Sequence, residues 1–168
     1  MVNTLELPEG RDRLADPEEA RTWLTAAGLL DEGAELRSAD LDLVRRVREG
    51  LRAMLVHNAG GPPPTAASLA PLGQVAADGT ARAEFGDGGE IRLSAGGESV
   101  PARLIEVLLI IRDAQRDGTW ARLKACGNDE CHWAFYDRSR NHGGTWCDMS
   151  SCGNKLKNRE FRARKRGG

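Results

Sequence analysis

The sequence predicts a mainly α-helical protein with a small β-hairpin, an α+β chain in which a helical N-terminal domain precedes a cysteine-bearing module. Three observations carry this. Segments with apolar residues at helical spacing fill much of the first two-thirds of the chain. One stretch alternates apolar and polar residues on either side of a glycine-rich turn. All four cysteines fall in the final third, as two pairs. A length of 168 residues suits one ordinary domain plus a small module, and a division into residues 1–118 and 119–168 is expected.

Taken in order, Met1 to Leu7 alternates too loosely to choose between strand and helix. Asp16-Pro17-Glu18-Glu19 is a helix start: Asp16 caps, Pro17 suits the first helical position, and the glutamates face the positive end of the dipole. Trp23, Leu24, Ala27 and Leu30 then share a face. A second helix is expected from a Ser38 cap towards His57, with Leu41, Val44, Arg48, Leu51 and Leu55 as its core stripe. Gly60-Gly61-Pro62-Pro63-Pro64 stops it. Thr65 would cap a third helix through Val75. Ala81, Ala83 and Phe85, then Ile91 and Leu93, read as a hairpin around Gly86-Asp87-Gly88-Gly89. Pro101 opens an apolar helix, expected in the middle of the bundle, that ends near Asp117-Gly118.

The cysteines read Cys126-Gly127-Asn128-Asp129-Glu130-Cys131 and Cys147-Asp148-Met149-Ser150-Ser151-Cys152, with fifteen residues between the pairs. Thiolates suit one zinc in a closed tetrahedron, which has no open position for catalysis. Two disulfides are the competing arrangement, and they belong to oxidising compartments. His132 or His142 in place of one cysteine is another. Trp133-Ala134-Phe135-Tyr136 reads as a strand within this module, and the aromatics around it as packing or as platforms for bases. The N-terminus has no charged, apolar export pattern and the longest apolar run is five residues, so a cytoplasmic protein without a membrane partner is expected.

The net charge of −1 hides a split. Residues 120–168 hold eleven Lys+Arg against five Asp+Glu, and the remainder holds 13 against 20. Much of the positive charge follows Cys152. A helix there would line up Lys155, Arg159, Arg162 and Arg166 as one stripe, with Arg138 and Arg140 on the loop before Cys147. Phe161 fits neither face. Cations strung along a helix match a phosphate backbone, DNA more readily than RNA. An RNA or an acidic protein is the alternative partner. No HExxH, GxSxG, Walker loop or dinucleotide fingerprint occurs, so no enzyme is expected.

Cys152-Gly153-Asn154-Lys155, together with Phe135-Tyr136-Asp137-Arg138-Ser139-Arg140-Asn141 and Trp146-Cys147, resembles the CGNR zinc finger family. Lys155 stands where that motif has arginine, which keeps the charge and loses the bidentate fork. Val2-Asn3-Thr4-Leu5 is similar to the start of the ABATE domain that precedes such fingers. The resemblance implies a stress-responsive transcription regulator with one bound zinc. Its N-terminal domain would bind a small-molecule effector or form a homodimer.

Overall fold

A computed structural model describes residues 1–155. The basic helix expected up to Arg166, with Arg159, Phe161, Arg162 and Arg166, lies outside the described residues. The element order is β1 (Leu5–Glu6), β2 (Arg11–Asp12), α1 (Pro17–Ala26), α2 (Ser38–Asn58), α3 (Ala66–Asp78), β3 (Ala81–Phe85), β4 (Ile91–Ala95), α4 (Val100–Arg116), β5 (Leu123–Ala125) and β6 (Ala134–Tyr136). The strands form three antiparallel pairs, β1–β2, β3–β4 and β5–β6. This is the mainly helical chain with small hairpins that the pattern predicts. The undecided first segment becomes a 3-10 turn, Val2–Thr4, leading into β1. Among the described residues no helix is long and apolar enough to cross a membrane.

α2 is the axis of the fold. Leu41, Val44, Val47, Leu51 and Leu55 are buried along it, and they share one core with Leu24 of α1, Leu72 and Val75 of α3, and Leu104 and Ile105 of α4. The start of α1 is as expected, with the Asp16 carboxylate accepting from the amides of Glu18 and Glu19. Two expected starts move. Ser38 is the first helical residue of α2, not its cap; Arg37 takes the cap position and its backbone N–H donates to Asp40. α4 begins one residue before Pro101, with Ser99 as its cap. α4 is also less central than its composition suggests. Leu104, Ile105 and Ile111 are buried, whereas Ile110 is 67% exposed. The hairpin β3–β4 covers part of its outer side, where Glu106 accepts from the Ala95 amide. α3 runs on to Asp78 and contains Pro71, whose missing N–H costs it one internal hydrogen bond.

α2 and α3 cross closely at Gly50. A Cβ there would lie 2.6 Å from the Ser68 carbonyl oxygen, a backbone atom that cannot swing aside. Alanine is the better helix former by about 1 kcal/mol. Gly50→Ala should nevertheless destabilise the protein by about 1–3 kcal/mol, because the overpacking penalty exceeds that gain. Urea unfolding measures it, and a more stable variant would contradict the close approach.

Arg48 and Arg52 sit one turn apart on the buried side of α2, where apolar residues would be expected. The N-terminal segment explains them. Arg48 Nη1 reaches Asp12 at 2.6 Å and Thr4 Oγ1 at 3.3 Å. Burial opposes ionisation of Asp12, but hydrogen bonds from Arg48 and the Leu14 amide outweigh it, and the carboxyl is held below its usual range. Arg52 Nη2 donates to the Val2 carbonyl at 2.9 Å, and its Nη1 to the His132 carbonyl at 3.1 Å. One guanidinium therefore joins the N-terminus, the central helix and the cysteine module.

A four-thiol centre docked on the central helix

The module is built outward from β5. This strand packs on α2, and Ala125 and Cys126 are both about 1% exposed. Asn58 at the end of α2 donates to the carbonyls of Trp120 and Leu123, each at 2.9 Å. Asn3 pairs with Ala134 of β6 in both directions. Its Nδ2 donates to the Ala134 carbonyl at 2.9 Å, and its Oδ1 accepts from the Ala134 amide at 2.7 Å. An Asn side chain thus stands in for a neighbouring strand.

The turn after β5 carries the first cysteine pair. The Cys126 amide donates to the Trp133 carbonyl, and the Cys131 amide to the Asn128 carbonyl, which folds the segment into a tight knuckle. Asn128 is 5% exposed and works from inside it. Its Oδ1 accepts from the Glu130 amide, and its Nδ2 lies 3.5 Å from Cys152 Sγ, on the second pair. That second pair is shaped by Asp148, whose carboxylate accepts from the Ser151 amide at 2.8 Å and caps the wide turn Met149–Gly153.

Between the pairs the chain is held by a buried ion pair. Lys124 Nζ lies 2.8 Å from Asp137 Oδ2, with side chains only 8% and 2% exposed. The same ammonium donates to the carbonyls of His142 and Gly144. Asp137 in turn accepts from the amides of Ser139 and Gly144. The Lys124 contact, then those of Ser139, hold its carboxyl well below the usual carboxylate range. The polar loop that returns the chain to Cys147 is fixed at both ends by this pair.

The sulfurs of Cys126, Cys131, Cys147 and Cys152 all lie within 4.8 Å of one another. Cys147 Sγ is 3.8 Å from both Cys131 Sγ and Cys152 Sγ. A disulfide needs ~2.05 Å, so the cysteines are not paired covalently. Four sulfurs at ~2.3 Å from a common centre in a tetrahedron are about 3.8 Å apart, which is the spacing Cys147 keeps to Cys131 and Cys152. His132 and His142 do not join the cluster. His132 Nε2 lies 3.8 Å from Asp129, and His142 contributes its backbone carbonyl to Lys124.

The thiols are unequal. Burial comes first in pushing Cys131 up to about 11, and it pushes Cys147 higher still, with Cys126 adding to the effect. Burial also works against Cys152, but the Asn128 hydrogen bond and the neighbouring thiols bring it below its ordinary value. Of the expected cationic residues, Arg138 and Arg140 are exposed on the loop before Cys147. Lys155 does not simply face outward: its Nζ lies 2.7 Å from Glu130 Oε2, back across the cysteine centre. Asn3, Arg52, Asn128 and the Lys124–Asp137 pair were not singled out by spacing. Asn3 and Asp137 left a trace, in the Val2-Asn3-Thr4-Leu5 and Phe135-Tyr136-Asp137 motifs, without a role being read for either.

Two family models match the chain. The CGNR zinc finger matches residues 122–165, and the ABATE family, described as "Putative stress-induced transcription regulator", matches residues 1–116. The convergent thiols of a CGNR finger fit one structural zinc ion. No curated protein matches the chain. With more than half its length covered by one model and the four-thiol centre inside the other, the chain belongs to the ABATE family and carries a CGNR zinc finger.

Proposed function

We propose that the protein is a cytoplasmic, DNA-binding transcription regulator of a stress response. Cys126, Cys131, Cys147 and Cys152 hold a single structural zinc. Residues 119–168 form the DNA-binding unit, and residues 1–118 sense a small-molecule effector or pair with a second copy. The observation that carries this reading is the placing of the thiol centre directly before seven Lys and Arg among residues 153–166. Lys155, Arg159, Arg162 and Arg166 contact phosphates, with Arg138 and Arg140 beside them. Phosphate has to compete with Glu130 for Lys155. A cleft of about 430 Å³, lined by Arg37, Arg46, Asp78 and Ser99 among others, supports a polar effector.

The test is a double charge reversal, Arg159→Glu with Arg162→Glu, in the zinc-loaded chain. Binding to duplex DNA should weaken for every sequence, and the slope of log affinity against log salt should flatten by about 2, roughly 0.9 for each phosphate no longer neutralised. Unchanged affinity and slope in a filter-binding assay would refute the assignment.

A further inference from the structure

Within the proposed nucleic-acid reading, on which this inference rests, we propose that the exposed row Tyr136, Arg138 and Arg140 binds single-stranded nucleic acid. Tyr136 stacks on an unpaired base, and the two guanidiniums take phosphates beside it.

The row comes from alternation at the end of β6. Tyr136, Arg138 and Arg140 are exposed, Asp137 between them is buried, and Ser139 is half-buried. Tyr136 is 45% exposed, a large value for an aromatic on a strand whose Ala134 packs into the core. Neither arginine makes an ion pair or a side-chain hydrogen bond among the described residues. Along this stretch of sequence the unpaired charge has one sign. Between His132 and Cys147 the only carboxylate is Asp137, and Lys124 holds it inside. The Lys124 contacts to His142 and Gly144 fix the loop, so the row is presented on an ordered frame.

The ring selects the partner class. Bases in a duplex are already stacked on one another and offer no face to Tyr136. An acidic protein would be met by the arginines alone. An unpaired base has a free face, and an aromatic platform with adjacent cations is how single strands are held without sequence preference.

The experiment uses the full, zinc-loaded chain and a fluorescein-labelled thymidine oligomer of about twelve nucleotides, within the usual site size. Tyr136→Ala should weaken binding by about fivefold to a hundredfold, as expected for one stacked base, while Tyr136→Phe stays within about twofold. Arg138→Ala and Arg140→Ala should each lower the salt slope by about 0.7. Duplex affinity of Tyr136→Ala should not move. Single-strand affinity unmoved by Tyr136→Ala, with duplex binding intact, overturns the row and leaves the DNA-binding reading standing. Failure to bind any nucleic acid overturns both. A uridine oligomer that binds more tightly and keeps the Tyr136 dependence supports the row with RNA as the source of the strand. Tyr136 is the single tyrosine of the chain, so ring-labelled tyrosine gives one set of resonances in the unmutated protein. Those resonances should shift on adding the oligomer, and a ring unmoved at saturation refutes stacking even if the alanine variant does not fold.

Discussion

Stripping the metal with a chelator, or replacing Cys126 with serine, will unfold the cysteine module. A structural zinc in a small finger is worth about 10–16 kcal/mol at neutral pH, comparable to or larger than the stability of a whole domain. Among the described residues the hydrogen bonds across the two cysteine pairs are few: Asn128 reaches Cys152, the Gly127 amide donates to the Thr145 carbonyl, and Lys155 meets Glu130. Three of the four tryptophans, Trp120, Trp133 and Trp146, lie in or beside the module, so tryptophan emission reports its unfolding directly. Serine at position 126 should abolish the one-to-one zinc stoichiometry and give the chelated spectrum. Full zinc retention in that variant would exclude Cys126 as a ligand. The pH dependence has a definite sign. Cys131, at about 11, and Cys147, raised further, are protonated at neutral pH when no metal is bound. Zinc must expel both protons, so affinity falls on acidification, by about a hundredfold per pH unit from these two thiols. A pH-independent zinc affinity would show that the thiols are already ionised.

The parts of this centre that were legible in the sequence are those with strict local grammar. Two cysteine pairs with equal spacing point to one metal whatever surrounds them, and the observed sulfur separations bear out the convergence. Asp16-Pro17 fixes the start of α1 because cap chemistry needs no distant partner. The hairpin expected around Gly86-Asp87-Gly88-Gly89 forms, with Phe85 opposite Ile91. What stayed illegible depends on atoms far away in the chain. Composition placed α4 in the middle of the bundle, but one of its faces is left to the thin β3–β4 hairpin and Ile110 reaches solvent. Lys124, read as part of a basic module, is instead an internal strut, because Asp137 and two carbonyls meet it in the fold. Arg52 resembles any helical arginine until Val2 and His132, 50 and 80 residues away, bring their carbonyls to it.

That last interaction sets the second large effect. Arg52→Leu should cost about 2–4 kcal/mol, since it leaves the buried Val2 carbonyl and the part-buried His132 carbonyl without the guanidinium as donor, at about 1–3 kcal/mol each before partial relief by water. Glu49 keeps Arg48 as a partner, so the penalty is concentrated on the two carbonyls. Arg52→Lys should recover only part of it, because a single ammonium cannot reproduce the planar fork that serves both carbonyls. The effect should be directional. Arg52 and Asn3 bridge the N-terminal segment to the same hairpin, at His132 and Ala134. Asn3→Ala and Arg52→Leu should therefore be non-additive, with a coupling of about 0.5–3 kcal/mol, as for residues that share one interface. In urea, the zinc-loaded wild type should lose tryptophan emission and helical circular dichroism together. In the double variant the two transitions should separate, because a finger released from α2 still keeps its zinc but no longer unfolds with the helices. Coincident transitions in the double variant would show that the two halves communicate by some route other than this clasp. An additive cycle would show that Arg52 and Asn3 hold separate pieces. Either result bears on the proposed effector response. The proposed effector, bound among α2, α3 and α4, would bias the finger only through interactions the two halves share, and Arg52 and Asn3 supply such interactions.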